Sequence, residues 1–171
     1  MRRLILFRHA KSSWDDPALD DHDRPLAPRG LAAAPRMGAW LAERGYAPEA
    51  VLTSTSARTL ETWDLARRAL PGAPDPMVTS RLYHADPETM LAVLRRAPPD
   101  AQAVALIGHQ PGISSFARKL SAPDVPAACA RAFKRFPTAA VAVIDFDAPD
   151  WSSVGWRTGR FHAFAAPKEL A

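Results

Sequence analysis

Leu4-Ile5-Leu6-Phe7 is a continuous apolar run that reads as a short buried strand, from about Arg3 to Phe7. Ala50 to Thr53, Met77 to Thr79 and Ala103 to Ile107 read in the same way. Helical patterns alternate with them. The first spans Arg29 to Arg44, with Leu31, Ala34, Gly38 and Leu41 along one face. Pro28 suits its first turn and Gly45 its stop, whereas Pro35 is expected to kink it or move its start. Further helices are expected over Ala57 to Leu70, from Asp86-Pro87-Glu88 to about Arg96, and from Pro111 to Leu120. Ala139 to Phe146 and Gly155 to Phe161 read as a late hairpin with a loop through Trp151, and the tail after Pro167 as frayed.

Strands alternating with helices predict an α/β fold with a largely parallel sheet. No repeat, linker or low-complexity segment interrupts the 171 residues, so residues 1–171 are expected to form a single domain. The apolar run near the N-terminus is too short for a signal peptide and is broken by Arg8, and no stretch approaches the length of a membrane span. Cys129 is the only cysteine, which excludes an intramolecular disulfide and points to the cytoplasm. The chain is basic, with a net charge of +4, but its arginines are scattered and form no long run. A field that attracts small phosphate esters accounts for this charge as well as nucleic acid does, so no nucleic-acid partner and no membrane partner are expected.

The candidate chemistry lies where predicted strands end. Arg8-His9 follows the first strand, Gly108-His109 the fourth, and Ser54-Thr55-Ser56-Ala57-Arg58 the second. Open α/β sheets place their ligand crevices at such carboxyl ends. A neutral imidazole can attack phosphorus, and a guanidinium can grip two phosphate oxygens. A lone histidine in an apolar setting is usually a satisfied core residue. A buried guanidinium beside it is costly without an anion, however, and no acid lies within five residues of Arg8. Ser12 and Ser13 add donors at the same strand end. Arg58 stands in the first turn of its helix, where free backbone N–H groups reinforce its charge. Gly108 is expected to allow close approach of a ligand or backbone. Together these residues suggest one anionic-ligand pocket, with Lys11, Ser12, Gly108 and Gln110 as candidate substrate contacts. Trp14 could wall it, whereas Trp40 and Trp63 on helices read as packing and Cys129 as inert.

Leu6-Phe7-Arg8-His9-Ala10-Lys11 resembles the Arg-His-Gly signature of the histidine phosphatase superfamily. The segment from Ser54 to Thr62 is similar to its second arginine motif, and Ile107-Gly108-His109-Gln110-Pro111 to its second histidine motif. Their order and spacing resemble the branch that includes phosphoglycerate mutases. The short length and Arg-His-Ala-Lys-Ser are most similar to the SixA family of phosphohistidine phosphatases, as are Asp23-Arg24-Pro25-Leu26 and Gly30. The resemblance implies a three-layer α/β/α, phosphoglycerate-mutase-like fold with about six strands. It implies His9 as a nucleophile that carries a phosphohistidine intermediate, with Arg8, Arg58 and His109 binding the phosphoryl group. It implies no metal and no other cofactor.

Two departures matter. The usual glycine after the nucleophile is Ala10, where a positive φ would be costly. No glutamate stands where mutase-like members keep their general acid, which leaves His84, Asp86 and Glu88 as candidates. Asp86 also suits a helix cap, and the loop could instead deliver Asp20, Asp21 or Asp23. An imidazole leaving group, with a pKa near 6.5, needs far less protonation than an alkoxide. The expected activity is therefore a metal-independent phosphatase acting on a phosphohistidine protein or a small phosphate ester. The rivals are a phosphoglycerate-mutase-like transferase and a non-catalytic phosphate- or partner-binding module.

Overall fold

A computed structural model describes residues 1–170. Six strands form one sheet in the order β3-β2-β4-β1-β5-β6. They are β1 (Arg2–Arg8), β2 (Ala50–Thr53), β3 (Met77–Val78), β4 (Ala103–Gly108), β5 (Val141–Phe146) and β6 (Arg160–Ala165). β1 pairs in parallel with β4, β4 with β2 and β2 with β3, whereas β5 runs antiparallel to both β1 and β6. Five helices accompany the sheet: α1 (Pro28–Arg44), α2 (Ala57–Ala66), α3 (Pro87–Leu94), α4 (Gly112–Leu120) and α5 (Ala127–Ala130).

The continuous apolar runs follow from the layering. Successive side chains of a strand point to opposite faces, and both faces here are covered. Leu4, Leu6, Leu52, Val104 and Leu106 pack with α3 and α4 on one side. Ile5, Phe7, Val51, Ala105 and Ile107 pack with α1 and α2 on the other. Each fully buried aliphatic or aromatic side chain contributes about 1.5–3 kcal/mol, so the two half-cores hold the central strands rigidly. That rigidity fixes the strand ends, where β1 and β4 finish level at the Arg8–Gly108 pair.

Several sequence expectations shift. α1 continues through Pro35, which forfeits one helical hydrogen bond without ending the helix. Leu31 is solvent-facing, because the buried face of α1 is Gly30, Ala33, Ala34, Met37, Gly38, Trp40 and Leu41. Gly30 lies so close to the loop after β1 that a Cβ there would meet the Lys11 carbonyl oxygen at 2.2 Å. α2 tightens into a 3₁₀ turn over Arg67–Ala69. The last strand starts at Arg160 rather than Gly155, since Gly159 is taken up packing against Ile144, Phe146 and the Leu120 carbonyl. α5 carried no periodic signal, being only four residues long. The tail is held to Leu170: Arg36 donates to the carbonyls of Pro167 and Leu170 at 2.9 and 2.6 Å.

Candidate active site

His9 leaves β1 with its backbone N–H bonded to the Gly108 carbonyl at 3.1 Å, so the end of β4 holds the end of β1. Ala10 then donates its N–H to Thr62 Oγ1 at 2.9 Å, and the Thr62 hydroxyl donates to the Arg58 carbonyl at 2.6 Å. One threonine therefore ties the His9 loop to the first turn of α2. Ala10 is not among the residues with positive φ, so alanine serves here without backbone strain.

The His9 ring is buried, and its Nδ1 lies 2.7 Å from the Ala10 carbonyl oxygen. A carbonyl only accepts, so Nδ1 carries the proton and Nε2 keeps a free lone pair. Burial pushes the His9 pKa down to about 3. The Ala10 hydrogen bond opposes this, and the charges of Arg58, Arg8 and Arg24 reinforce it. The imidazole is neutral across the physiological range.

His109 sits beside it, with ring centroids 5.3 Å apart. Its Nε2 is 2.9 Å from Ser54 Oγ and its Nδ1 is 3.4 Å from Arg58 Nη2. Arginine only donates, so Nδ1 accepts and Nε2–H donates to the serine. Burial, followed by the proximity of His9, Arg58 and His84, pushes its pKa down to about 2 against the pull of Asp21.

Arg58 follows Ser56, whose hydroxyl caps α2 by accepting from the Thr59 N–H. The guanidinium is 3% exposed. Arg8 donates from Nη1 to the Phe136 carbonyl at 2.7 Å, while its buried Nε has no hydrogen-bond partner. Burial and then the neighbouring Arg58 lower the Arg8 pKa. A buried donor without a partner beside a second guanidinium suits an anionic ligand.

These side chains, with Lys11, Ser12, Trp14, Gln110 and Thr138, line one cleft of about 230 Å³. Asp21, Arg24 and His84 complete it. Among the described residues Asp21 is its only carboxylate. Oδ2 of Asp21 accepts from Arg58 Nη2 at 2.9 Å, Tyr83 Oη at 2.6 Å and His84 Nε2 at 3.0 Å. Oδ1 accepts from Arg24 at 2.7 Å. Burial acts to raise the Asp21 pKa, but the hydrogen bonds from Tyr83, His84, Arg24 and Arg58 outweigh it, so the carboxyl stays well below its usual range. Arg24 is set by the Ser12 hydroxyl and the Ser13 carbonyl, and its guanidinium stacks on exposed Trp14, 3.2 Å from the ring centroid.

The structure thus brings together Arg8, His9, Arg58, His109, Lys11, Ser12, Gln110 and His84. It does not bring Asp86 or Glu88 into the cleft. Asp86 caps α3 by accepting from the Thr89 N–H at 2.8 Å, and Glu88 pairs with Lys119 on the surface. Gly108 contributes its carbonyl rather than close approach, since a Cβ there would meet nothing nearer than Leu106 at 3.4 Å. Tyr83 and Thr138 are not among the sequence candidates, and Arg24 enters there only within the Asp23-Arg24-Pro25-Leu26 resemblance. The acidic loop closed by Arg24-Pro25 was the one available signal, because a cation there must answer the aspartates around it. Trp40 and Trp63 are core residues, and burial pushes the Cys129 thiol up, away from the reactive thiolate.

Residues 4–83 match the histidine phosphatase superfamily (branch 1). An uncharacterized protein of Mycobacterium tuberculosis, Rv1276c, is 37% identical over 150 residues, covering 86% of this chain and 90% of its own. A crystal structure assigned to the phosphohistidine phosphatase SixA of Agrobacterium tumefaciens superposes with a TM-score of 0.81 at 31% identity, covering 97% of this chain and 98% of that one. The chain belongs to the histidine phosphatase superfamily. A second structure, assigned to SixA of Nakamurella multipartitia, gives a TM-score of 0.83 at 28% identity over 97% of this chain and 96% of its own. The three-layer α/β/α architecture of this superfamily is the one described above, and membership together with the SixA-like structures supports a phosphatase. Among the described residues no helix is long and apolar enough to cross a membrane.

Proposed function

We propose that this phosphatase works through a covalent phosphohistidine on His9 and that phosphohistidine in a protein is its favoured substrate, with small phosphate esters as the broader class. The observation that carries the reading is the tautomer of His9: Nδ1–H is bonded to the Ala10 carbonyl, so Nε2 is a fixed, unprotonated nucleophile inside a cationic cleft.

In the first step the Nε2 lone pair attacks phosphorus, and the bond to the leaving group breaks with its electron pair. The three equatorial phosphoryl oxygens carry the charge, and Arg8 and Arg58 stabilise it in flight. In the second step water attacks the phosphoryl group, the P–N bond breaks, and its pair returns to Nε2 with release of phosphate. An incoming dianion also favours protonation of His109 at Nδ1, which turns that nitrogen from an acceptor into a donor towards the phosphoryl group. Lys11, Ser12 and Gln110 serve as outer contacts. No step calls on a metal, because the guanidiniums and Lys11 supply the positive charge.

The substrate preference rests on the acid. Asp21 is held ionised, and Asp86 and Glu88 lie outside the cleft. His84 is then the one sequence candidate positioned to donate a proton. A site so poor in acids suits a leaving imidazole, which needs little help. The test is hydrolysis of p-nitrophenyl phosphate in excess EDTA, with wild type beside His9→Ala. Turnover is expected to persist in EDTA and to vanish in the variant. Turnover that survives the substitution, or that stops with EDTA, would sink the reading.

A further inference from the structure

A second cavity, of about 300 Å³, adjoins the transfer cleft, and Lys11 and Thr138 line both. Five cations face it: Lys11, Arg29, Arg36, Arg135 and Lys168. Among the described residues no carboxylate side chain lines it. Arg36 is fixed by the carbonyls of Pro167 and Leu170, while Lys11, Arg29, Arg135 and Lys168 form no ion pair among the described residues. Glu169, next to Lys168 in sequence, is already paired with Arg131. Lysines and arginines spread over a convex face need no ligand to explain them. Here they come from α1, the segment before β5, the loop after β1 and the C-terminal turn, and they converge on one concavity. Gathering like charges this way costs repulsion that a bound anion relieves.

We infer that this cavity is a second anion subsite, which holds acidic side chains next to the phosphorylated residue of a polypeptide substrate. The inference rests on the phosphatase reading above and deepens it by naming what flanks the phosphoryl group. The lining decides between kinds of anion. Ala32, Ala33, Pro137, Ala166 and Pro167 share the lining with the cations. Glutamate side chains suit that mixture, since their methylenes cover apolar lining while their carboxylates meet the cations. A bare, strongly hydrated phosphate would leave the apolar lining uncovered. The shared wall of Lys11 and Thr138 lets one extended chain occupy both cavities.

The test needs no turnover. Fluorescein-labelled Ala-Glu-Glu-Ala-Glu-Glu is titrated by anisotropy against wild type, His9→Ala and the double variant Arg29→Glu/Arg135→Glu. Both substituted arginines of that variant are half-exposed or exposed and outside the transfer cleft. Binding should weaken with added salt, stay within about twofold in His9→Ala, and fall at least about tenfold in the double variant. Hydrolysis of p-nitrophenyl phosphate by the double variant should stay within about twofold of wild type. Equal peptide binding by wild type and double variant overturns the inference. So does a parallel loss of binding and hydrolysis, which would assign these cations to the fold or the transfer cleft. Capture of inorganic pyrophosphate, lost in the double variant while the peptide never binds, overturns it in favour of a small polyanion. Inert wild type towards p-nitrophenyl phosphate would count against the phosphatase reading alone and leave the binding result standing.

Discussion

Arg58 Nη2 lies 3.4 Å from His109 Nδ1, and the same nitrogen donates to Asp21 Oδ2 at 2.9 Å. Arg58 is thereby held between a neutral ring and a carboxylate, both lining the His9 cleft. Neither Arg58 nor His109 is free to adopt another pose, because Ser54 fixes the far side of the ring and the capped first turn of α2 fixes the arginine. Such preorganised donors contribute most to phosphoryl transfer. Arg58→Ala and His109→Ala should each lower kcat by about 10²-fold or more. Steady-state kinetics on p-nitrophenyl phosphate checks this, with circular dichroism to verify folding. A loss under about tenfold in both variants would remove them from the charge-stabilising set.

The two buried histidines also make stability depend on pH. Their pKa values are depressed to about 3 for His9 and about 2 for His109, against 6.5 for the exposed side chain. Between those values the unfolded chain binds protons that the folded one refuses. Stability is therefore complete above about pH 6.5 and declines as the pH falls towards 3. Urea midpoints should drop steadily from pH 7 to pH 4. The drop should be smaller in His109→Gln, which removes one of the two titrating rings and keeps an amide that can both donate and accept. A midpoint that stays flat or rises over this range would contradict neutral burial of the pair.

Most of the frame was legible because burial on both faces writes itself into the sequence as unbroken apolar runs. β1, β2 and β4 carry such runs, and their carboxyl ends carry His9, Arg58 and His109. What was less legible depends on partners far along the chain. Asp21 is one of five aspartates in the polar loop between Lys11 and Arg24, and nothing local distinguishes it. Only the fold brings Arg24, Arg58, Tyr83 and His84 to its carboxylate. Asp86 and Glu88 sat equally near in sequence, but helix geometry turns one into a cap and the other towards Lys119. The late strand slipped because Gly155 to Gly159 look extended yet serve turns and close packing, where glycine carries no hydrophobic signal.

Asp21 bears on affinity in a way that can be measured. Its carboxylate already occupies Arg58 and Arg24, the two cations nearest in kind to those a phosphate would seek. An arriving anion must share them and must also approach a fixed negative charge. Asp21→Asn keeps the side-chain shape and removes that charge. Inorganic phosphate should then inhibit more strongly, with its inhibition constant lowered about five- to tenfold, as one charge a few ångströms away in a wet cleft warrants. Competitive inhibition of p-nitrophenyl phosphate hydrolysis gives the constant directly. An unchanged or weaker inhibition would mean that Asp21 orders the guanidiniums more than it competes for them.

His84 offers the sharpest test of the acid. It lines the cleft, donates from Nε2 to Asp21, and holds φ at 50°, a backbone region in which histidine and asparagine are tolerated better than most residues. Asparagine is therefore the substitution that keeps the loop while removing a group able to deliver a proton. A proton donor matters in proportion to the basicity of the leaving group. Phenol leaves as a far stronger base than p-nitrophenol, and imidazole leaves with a pKa near 6.5. If His84 protonates the leaving atom, His84→Asn should lower kcat/KM on phenyl phosphate by about 10²-fold. On p-nitrophenyl phosphate and on a phosphohistidine peptide the loss should stay within about threefold, because little proton transfer is needed. Asp86→Asn and Glu88→Gln should be near wild type on all three, since both side chains are committed outside the cleft. An equal loss on every substrate would make His84 a support for Asp21 rather than an acid. A selective loss in Asp86→Asn would move the proton to the cap of α3.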